Sequence, residues 1–374
     1  VSVALAFVEA VSIEDLSRHE PAWRDLAGRA AEPNPFAESA FLTPSLRHLA
    51  PSRLAILLVW SDDRREALIG LATLREPPLG RGLARAWRSK QAPLAAMTFD
   101  REAIEDALTA IVAWMRRARP SIAGIVWPGL ETGGAIAMAL RSAAAHERLR
   151  LETRNPHRRA ALVVAGEANF EAALDKKRRK EWARQARRLA ERGRLDIGVR
   201  DDVEASERFL RLEATGWKGA RGTALADDPS RLAFARQMLA AFRDDGRLRI
   251  QELAIDGAPV AMGIALGAGA RAYYWKTAYD ERFAEYSPGV QATLALSRRL
   301  AAAPGLKLVD SCAIQDHPMI DRLWPGRLEL IDIALATSPR GGRRLGAWLA
   351  AEAALARARD AAKATLNRWR ARRA

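Results

Sequence analysis

Between residues 248 and 300 the chain reads LRIQELAIDGAPVAMGIALGAGARAYYWKTAYDERFAEYSPGVQATLALSRRL. Three strand-like runs are separated by turn residues at Asp256-Gly257 and at Gly267–Gly269. The third run is aromatic, passes through Ser287-Pro288-Gly289 and becomes an apolar helix. An antiparallel meander that ends in a helix must cover its apolar faces with further layers. Few folds other than a mixed sheet with helices on both faces do so.

The rest of the chain fits that frame. "LAILLVW" and "EALIGLATLRE" read as a strand pair, and "AGIVWPG" and "RAALVVA" as later strands, with helices such as "REAIEDALTAIVAWMRRA" between them. The second half opens on a basic helix near Phe170–Arg192, with Leu174, Trp182, Ala186 and Leu189 near one face. "LDIGVR", "LKLVDSCA" and "LELIDIALA" read as strands, and a last helix runs from about Arg343. The element order of the two halves is alike. The expectation is an α/β chain with one mixed, helix-flanked sheet per half: a first domain over 1–165, a second over 166–345, and a basic tail over 346–374.

Charge narrows the function classes. The net charge is +15, but residues 175–194 carry ten Lys/Arg against three acids and residues 355–374 carry seven against one. Two basic segments on a nearly balanced chain point to a local anionic partner: a phosphorylated cofactor, an anionic membrane surface, or RNA phosphates. The single cysteine, Cys312, excludes an intrachain disulfide, and the five histidines show no metal-binding spacing, so no metal is expected. No apolar run is long enough to span a bilayer, and "VSVALAFVEAV" reads as a first strand rather than a signal peptide. A cytoplasmic setting is expected, with contact at the inner membrane face left open.

Several residues carry candidate chemistry. Ser287 stands where a helix cap belongs and Pro288 at the first helical position. That is complete as a helix start. Gly289 and the free amides beside it could also meet an anion such as a pyrophosphate. Asp310 lies in an apolar strand, where alternation puts Leu308, Asp310 and Cys312 on one face. With His317 in the following loop it forms a candidate acid/base pair, or else it holds that loop together. Cys312 is either a core residue or a nucleophile in a Cys–His–Asp set. Trp217 and Lys218 start a Gly-containing loop and could wall an acceptor pocket or close a helix end. Tyr274 and Lys276 share one strand face by alternation.

Four stretches carry a family resemblance: "LDKKRRKEWARQARRLAERGRLDI", "FLRLEATGWKGARGTAL", "AYYWKTAYDERFAEYSPGVQATL" and "LVDSCAIQDHPMIDRLW". From about Phe170 to Ala336 the sequence resembles GNAT-fold acyltransferases of the CelD-like (cellulose-biosynthesis) type, relatives of the Fem-type peptidoglycan peptidyltransferases. The glycine-rich Gln/Arg-x-x-Gly-x-Gly/Ala turn of simple GNAT enzymes is absent, and Ser287-Pro288-Gly289 stands in its place. The resemblance implies two GNAT-like domains in tandem. It also implies an N-acyltransferase with acyl-CoA (acetyl-CoA or longer) as donor and a small-molecule, glycan or lipid amine as acceptor, in envelope, polysaccharide or lipid synthesis. On that reading Ser287, Gly289, Val290 and Gln291 meet the cofactor. Trp217, Lys218, Tyr274, Lys276 and Tyr286 meet the substrate, and Asp310 and His317 are catalytic. Two alternatives remain: a Fem-like transferase using aminoacyl-tRNA, the one reading that brings in nucleic acid, and a non-catalytic accessory of a polymer synthase.

Overall fold

The computed structural model describes residues 6–371; the side chains of Trp217 and of residues 366–371 lie outside the described residues. Thirteen strands form one mixed sheet: β1 (Phe7–Val11), β2 (Leu54–Trp60), β3 (Leu68–Arg75), β4 (Gly82–Ala86), β5 (Met97–Phe99), β6 (Ile122–Glu131), β7 (Leu151–Val163), β8 (Leu195–Arg200), β9 (Leu248–Ile255), β10 (Ala258–Ala268), β11 (Arg271–Tyr279), β12 (Leu308–Asp310) and β13 (Gly326–Ala336). Their spatial order is β1-β2-β3-β4-β6-β13-β7-β12-β11-β10-β9-β8, with β5 on β3. The meander expected over 248–279 is present as β9, β10 and β11, paired antiparallel.

Two mixed halves thus meet in a continuous sheet, and the join is an exchange. The strand β13, late in the sequence, inserts between β6 and β7 and pairs antiparallel with both. In turn β7 runs on to pair through Ala161–Val163 with β12 of the second half. A sequence boundary near residue 165 is therefore crossed by β13 in space.

Helices cover both faces because the strands are apolar on both. In the first half Ile111, Val112 and Met115 of helix Ile104–Ala118 pack with Trp127 and Phe99 on one face. Trp23, Leu26 and Leu46 pack with Leu58 and Leu71 on the other. In the second half Phe209, Phe234, Met238 and Phe242 cover Ile264 and Tyr273, and Leu294, Leu296 and Leu300 of helix Pro288–Ala301 cover Tyr274 on the opposite side. Each such side chain, fully buried, contributes about 1.5–3 kcal/mol.

Three elements are shorter than the sequence pattern implies. The basic helix is broken at Leu174-Asp175 into Glu167–Ala173 and Lys176–Ala190, because the Asp175 carboxylate caps the Arg178 amide at 2.8 Å and starts a new helix. The strand expected over 306–313 ends at Asp310, so Leu308, Asp310 and Cys312 do not share a strand face: Cys312 turns left-handed at φ 55°. The segment 318–324, with apolar Met319, Ile320, Leu323 and Trp324, is helical only over the single turn Ile320–Leu323. The last helix, Gly341–Ala371, buries Leu345 and Leu349 and then leaves the body, with Leu355 exposed; Trp369 lies outside the described side chains. Among the described residues, no helix is long and apolar enough to cross a membrane.

Candidate active site

Strands β11 and β12 are parallel neighbours for three residues only, from Arg271↔Leu308 to Tyr273↔Asp310. β11 continues to Tyr279 while β12 stops. It stops because the Asp310 carboxylate accepts the Cys312 amide at 2.8 Å and bends the chain away. The two backbones part, and a cavity of about 760 Å³ opens between Tyr274–Tyr279 on one side and Ser311–Ile314 on the other. The start of helix Pro288–Ala301 closes one end, and Glu213 and Lys218, from helix Val203–Thr215 and the turn after it, close another.

The helix start differs from a plain cap. Ser287 is left-handed at φ 51°, and its hydroxyl makes no cap hydrogen bond, contrary to the side-chain cap expected from sequence. Its backbone carbonyl instead accepts the amides of Val290 at 3.0 Å and Gln291 at 3.2 Å. Pro288 has no N–H, so among the first four helical residues the Gly289 N–H alone has no partner among the described residues. Ser287, Gly289 and Val290 line the cavity. Gln291 does not: its Nε2 donates to the Trp182 carbonyl at 2.9 Å and ties this helix to the basic one. Tyr286 is buried against Leu189 and Leu253, with the Arg188 guanidinium 5.4 Å from its ring, and also lies outside the cavity lining.

On β11 the register against β10 shifts between Tyr274 and Lys276, leaving Trp275 as a bulged residue. The bulge cancels the alternation read from the sequence: Tyr274 and Lys276 do not share a face. Tyr274 packs under helix Pro288–Ala301, and its hydroxyl meets Thr293 Oγ1 at 2.8 Å, which itself donates to the Gly289 carbonyl at 2.7 Å. Burial pushes the Tyr274 phenol up, so it stays protonated. Lys276 turns to the other side, its Nζ 5.3 Å from the Trp275 ring. The Trp275 indole N–H donates to the Gln91 carbonyl of the first half at 2.7 Å.

Lys276 and Lys218 converge on Glu213. Lys218 Nζ donates to Glu213 Oε1 at 2.8 Å and to the Thr277 carbonyl at 3.0 Å, and Lys276 Nζ lies 3.6 Å from Oε1. Glu213 Oε2 accepts the Leu225 amide at 2.9 Å. Burial pushes the Lys276 ammonium down to about 8, with Glu213 resisting. Burial also opposes the Glu213 charge, but Lys276 and Lys218 outweigh it and hold the carboxyl below its ordinary value.

Asp310 and His317 are not joined by a hydrogen bond or ion pair. Asp310 is buried and forms an ion pair with Arg159, itself buried on β7. His317 lines the cavity, and its Nδ1 accepts the amides of Met319 at 3.3 Å and Ile320 at 3.4 Å. An Nδ1 that accepts leaves the proton of the neutral ring on Nε2, so His317 offers the cavity a donor rather than a lone pair. Cys312 lines the cavity, and burial pushes its thiol well up, away from thiolate. Trp217 falls outside the described side chains.

A second groove of about 490 Å³ adjoins the cavity and shares Ser287 and Val290 with it. Arg178 and Trp182 of the basic helix form one wall, and Pro318, Met319 and Arg322 another. Both arginines are exposed. Among the described residues, no group of three or more His, Cys, Asp and Glu is placed to hold a metal.

Two site residues escape a sequence reading. Glu213 carries a legible signal: it lies one turn past Phe209, on the apolar face of its helix, where an acid needs a partner. Arg159 carries none, since it sits 151 positions from Asp310 among other arginines.

Residues 176–317 match the family model described as an acetyltransferase (GNAT) domain. A sequence search of curated proteins finds no match. Three solved structures share the fold over most of both chains. A conserved protein of unknown function from Bacteroides thetaiotaomicron is 9% identical, with 88% of this chain and 99% of that one covered and a TM-score of 0.54. FemX is 12% identical, with 87% and 96% covered and a TM-score of 0.53. The C-terminal domain (DUF2156) of an Agrobacterium fabrum protein described as a candidate lysylphosphatidylglycerol synthetase is 12% identical, with 91% and 96% covered and a TM-score of 0.54. Residues 176–317 are thus similar to a GNAT-type acetyltransferase domain, and they lie in a two-half mixed sheet whose fold the chain shares with these three structures.

Proposed function

We propose that the protein transfers an acyl group from an acyl-CoA thioester to the amine of a small-molecule, sugar or lipid acceptor. The observation that carries this reading is the wedge between β11 and β12, with the unpartnered Gly289 N–H at its rim. A pantetheine-like arm can lie between parted strands and bond to backbone edges left unpaired there, with its diphosphate near the helix start. Ser287, Gly289 and Val290 then meet the donor, while Gln291 acts indirectly by fixing the helix. The adjoining groove, with Arg178 and Arg322, offers charge to the donor's nucleotide phosphates.

In the transfer a neutral amine attacks the thioester carbonyl. The C–N bond forms, the C–S bond breaks, and the proton shed by nitrogen balances the one gained by sulfur. In this reading His317 Nε2–H donates to the carbonyl oxygen or the leaving sulfur. Asp310 acts through position: it holds the Cys312 turn that keeps the strands apart. Lys218 and Lys276 wall the acceptor side, while Tyr274 braces the helix start through Thr293. The basic last helix is a candidate contact for an anionic membrane carrying a lipid acceptor.

Thermal stabilisation by acetyl-CoA and longer acyl-CoAs tests this reading, with Arg178→Glu and Arg322→Glu expected to weaken it. Binding of aminoacyl-tRNA with no response to any acyl-CoA would replace it with the Fem-like reading. A response to neither would leave the accessory-protein reading.

A further inference from the structure

The acceptor side of the cavity carries a charge imbalance. Glu213 has no solvent exposure, and its Oε1 faces both Lys218 Nζ and Lys276 Nζ, while Oε2 is occupied by the Leu225 amide. Among the carboxylates and ammonium groups that line the cavity, one carboxylate thus faces two ammonium groups. A further cation, Arg231, also acts on Lys276; it lies 3.9 Å from Asp228 and donates to the Gly222 carbonyl at 3.2 Å. The Lys218 and Lys276 side chains keep 20% and 17% of their surface exposed, on a wall that is otherwise mostly apolar. Burying a net positive charge in such a wall is costly, and an incoming anion relieves the cost.

We propose that Lys218 and Lys276, held by Glu213, form a seat for an oxyanion, a carboxylate or a phosphate, that the acceptor carries in addition to its amine. This rests on the acyl-transfer reading, which puts the donor at the opposite rim by Gly289. The acceptor class becomes amino acids, amino-sugar phosphates, or phospholipid headgroups with a free amine. Glu213 has a definite part: it keeps two ammonium groups side by side that would otherwise repel. Burial holds the Lys276 ammonium near 8, and an anion beside it would return it to full charge at neutral pH.

The experiment measures thermal shifts of the wild type, Lys276→Met, Lys218→Gln and Lys276→Arg. The probes are acetyl-CoA, inorganic phosphate and glutarate, with sodium chloride at matched ionic strength as reference. Acetyl-CoA is expected to stabilise all four proteins alike. With acetyl-CoA saturating, phosphate or glutarate is expected to add a saturable shift in wild type and Lys276→Arg. In Lys276→Met and Lys218→Gln the anion midpoint should move at least tenfold higher. Whichever anion acts at lower concentration tells a phosphorylated acceptor from a carboxylated one. Equal anion shifts in wild type and Lys276→Met, or none beyond sodium chloride, overturn the seat while leaving donor binding intact. An anion shift that disappears under saturating acetyl-CoA assigns the cluster to the donor and overturns it as well. Anion shifts as expected with no response to acetyl-CoA overturn the acyl-transfer reading instead.

Discussion

The guanidinium of Arg159, in the first half, closes on the carboxylate of Asp310, at the end of β12 in the second. Both are buried, and the other Asp310 oxygen holds the Cys312 amide that turns the chain out of the sheet. The exchanged sheet and the cavity are thereby coupled: one half supplies the charge that fixes the opening in the other.

Breaking that pair from one side strands a charge in the core. Arg159→Met is expected to cost about 3–5 kcal/mol, measured by urea unfolding, and to impair the cavity. The double variant Arg159→Met with Asp310→Asn is expected to recover a large part of that loss, because no buried charge is left unanswered. A single variant as stable as wild type would show that the pair does not fix the turn.

Lys276 has an ordinary ammonium pKa of 10.5, lowered to about 8 in the fold by burial. Between these values the unfolded chain binds more protons than the folded one, so stability rises with pH across the window from 8 to 10.5. Below 8 the cost of the buried charge is present in full, on the order of a few kcal/mol. Urea midpoints of wild type against Lys276→Met across this window should show the wild type gaining relative to the variant as pH increases. Parallel curves would refute the lowered value.

His317→Asn keeps an acceptor where Nδ1 caps the Met319 and Ile320 amides but removes the Nε2–H. It is expected to unfold within about 0.5 kcal/mol of wild type and to slow transfer by about 10- to 100-fold. His317→Ala loses both functions and should cost about 1 kcal/mol more in stability. Equal rates for wild type and His317→Asn would remove the donor role.

Cys312 is predicted to be a spectator. Its thiol is pushed up by burial, and Asp310 is taken by Arg159 and by the Cys312 amide, so Asp310 is not free to act as its base. Iodoacetamide at pH 8 should modify it at least tenfold more slowly than free cysteine, and Cys312→Ala should keep the wild-type rate. Rapid alkylation that abolishes activity would revive the covalent route.

The sequence by itself determined what neighbouring residues decide. The meander of β9 to β11, the helix beginning at Pro288 and the basic helix are set by periodicity, turn residues and capping chemistry within a few positions. Lys218, Tyr274, Lys276, Ser287, Gly289, Val290 and His317, each singled out by residue type in the sequence, line one cavity. Tertiary structure decided the rest. The insertion of β13 between β6 and β7, the bulge at Trp275 that turns Lys276 toward Glu213, and the capture of Asp310 by Arg159 all depend on partners from other elements. A buried charge takes the partner that packing delivers, and a strand keeps its alternation only while its neighbour keeps register. Neither condition is written in the local pattern of residues.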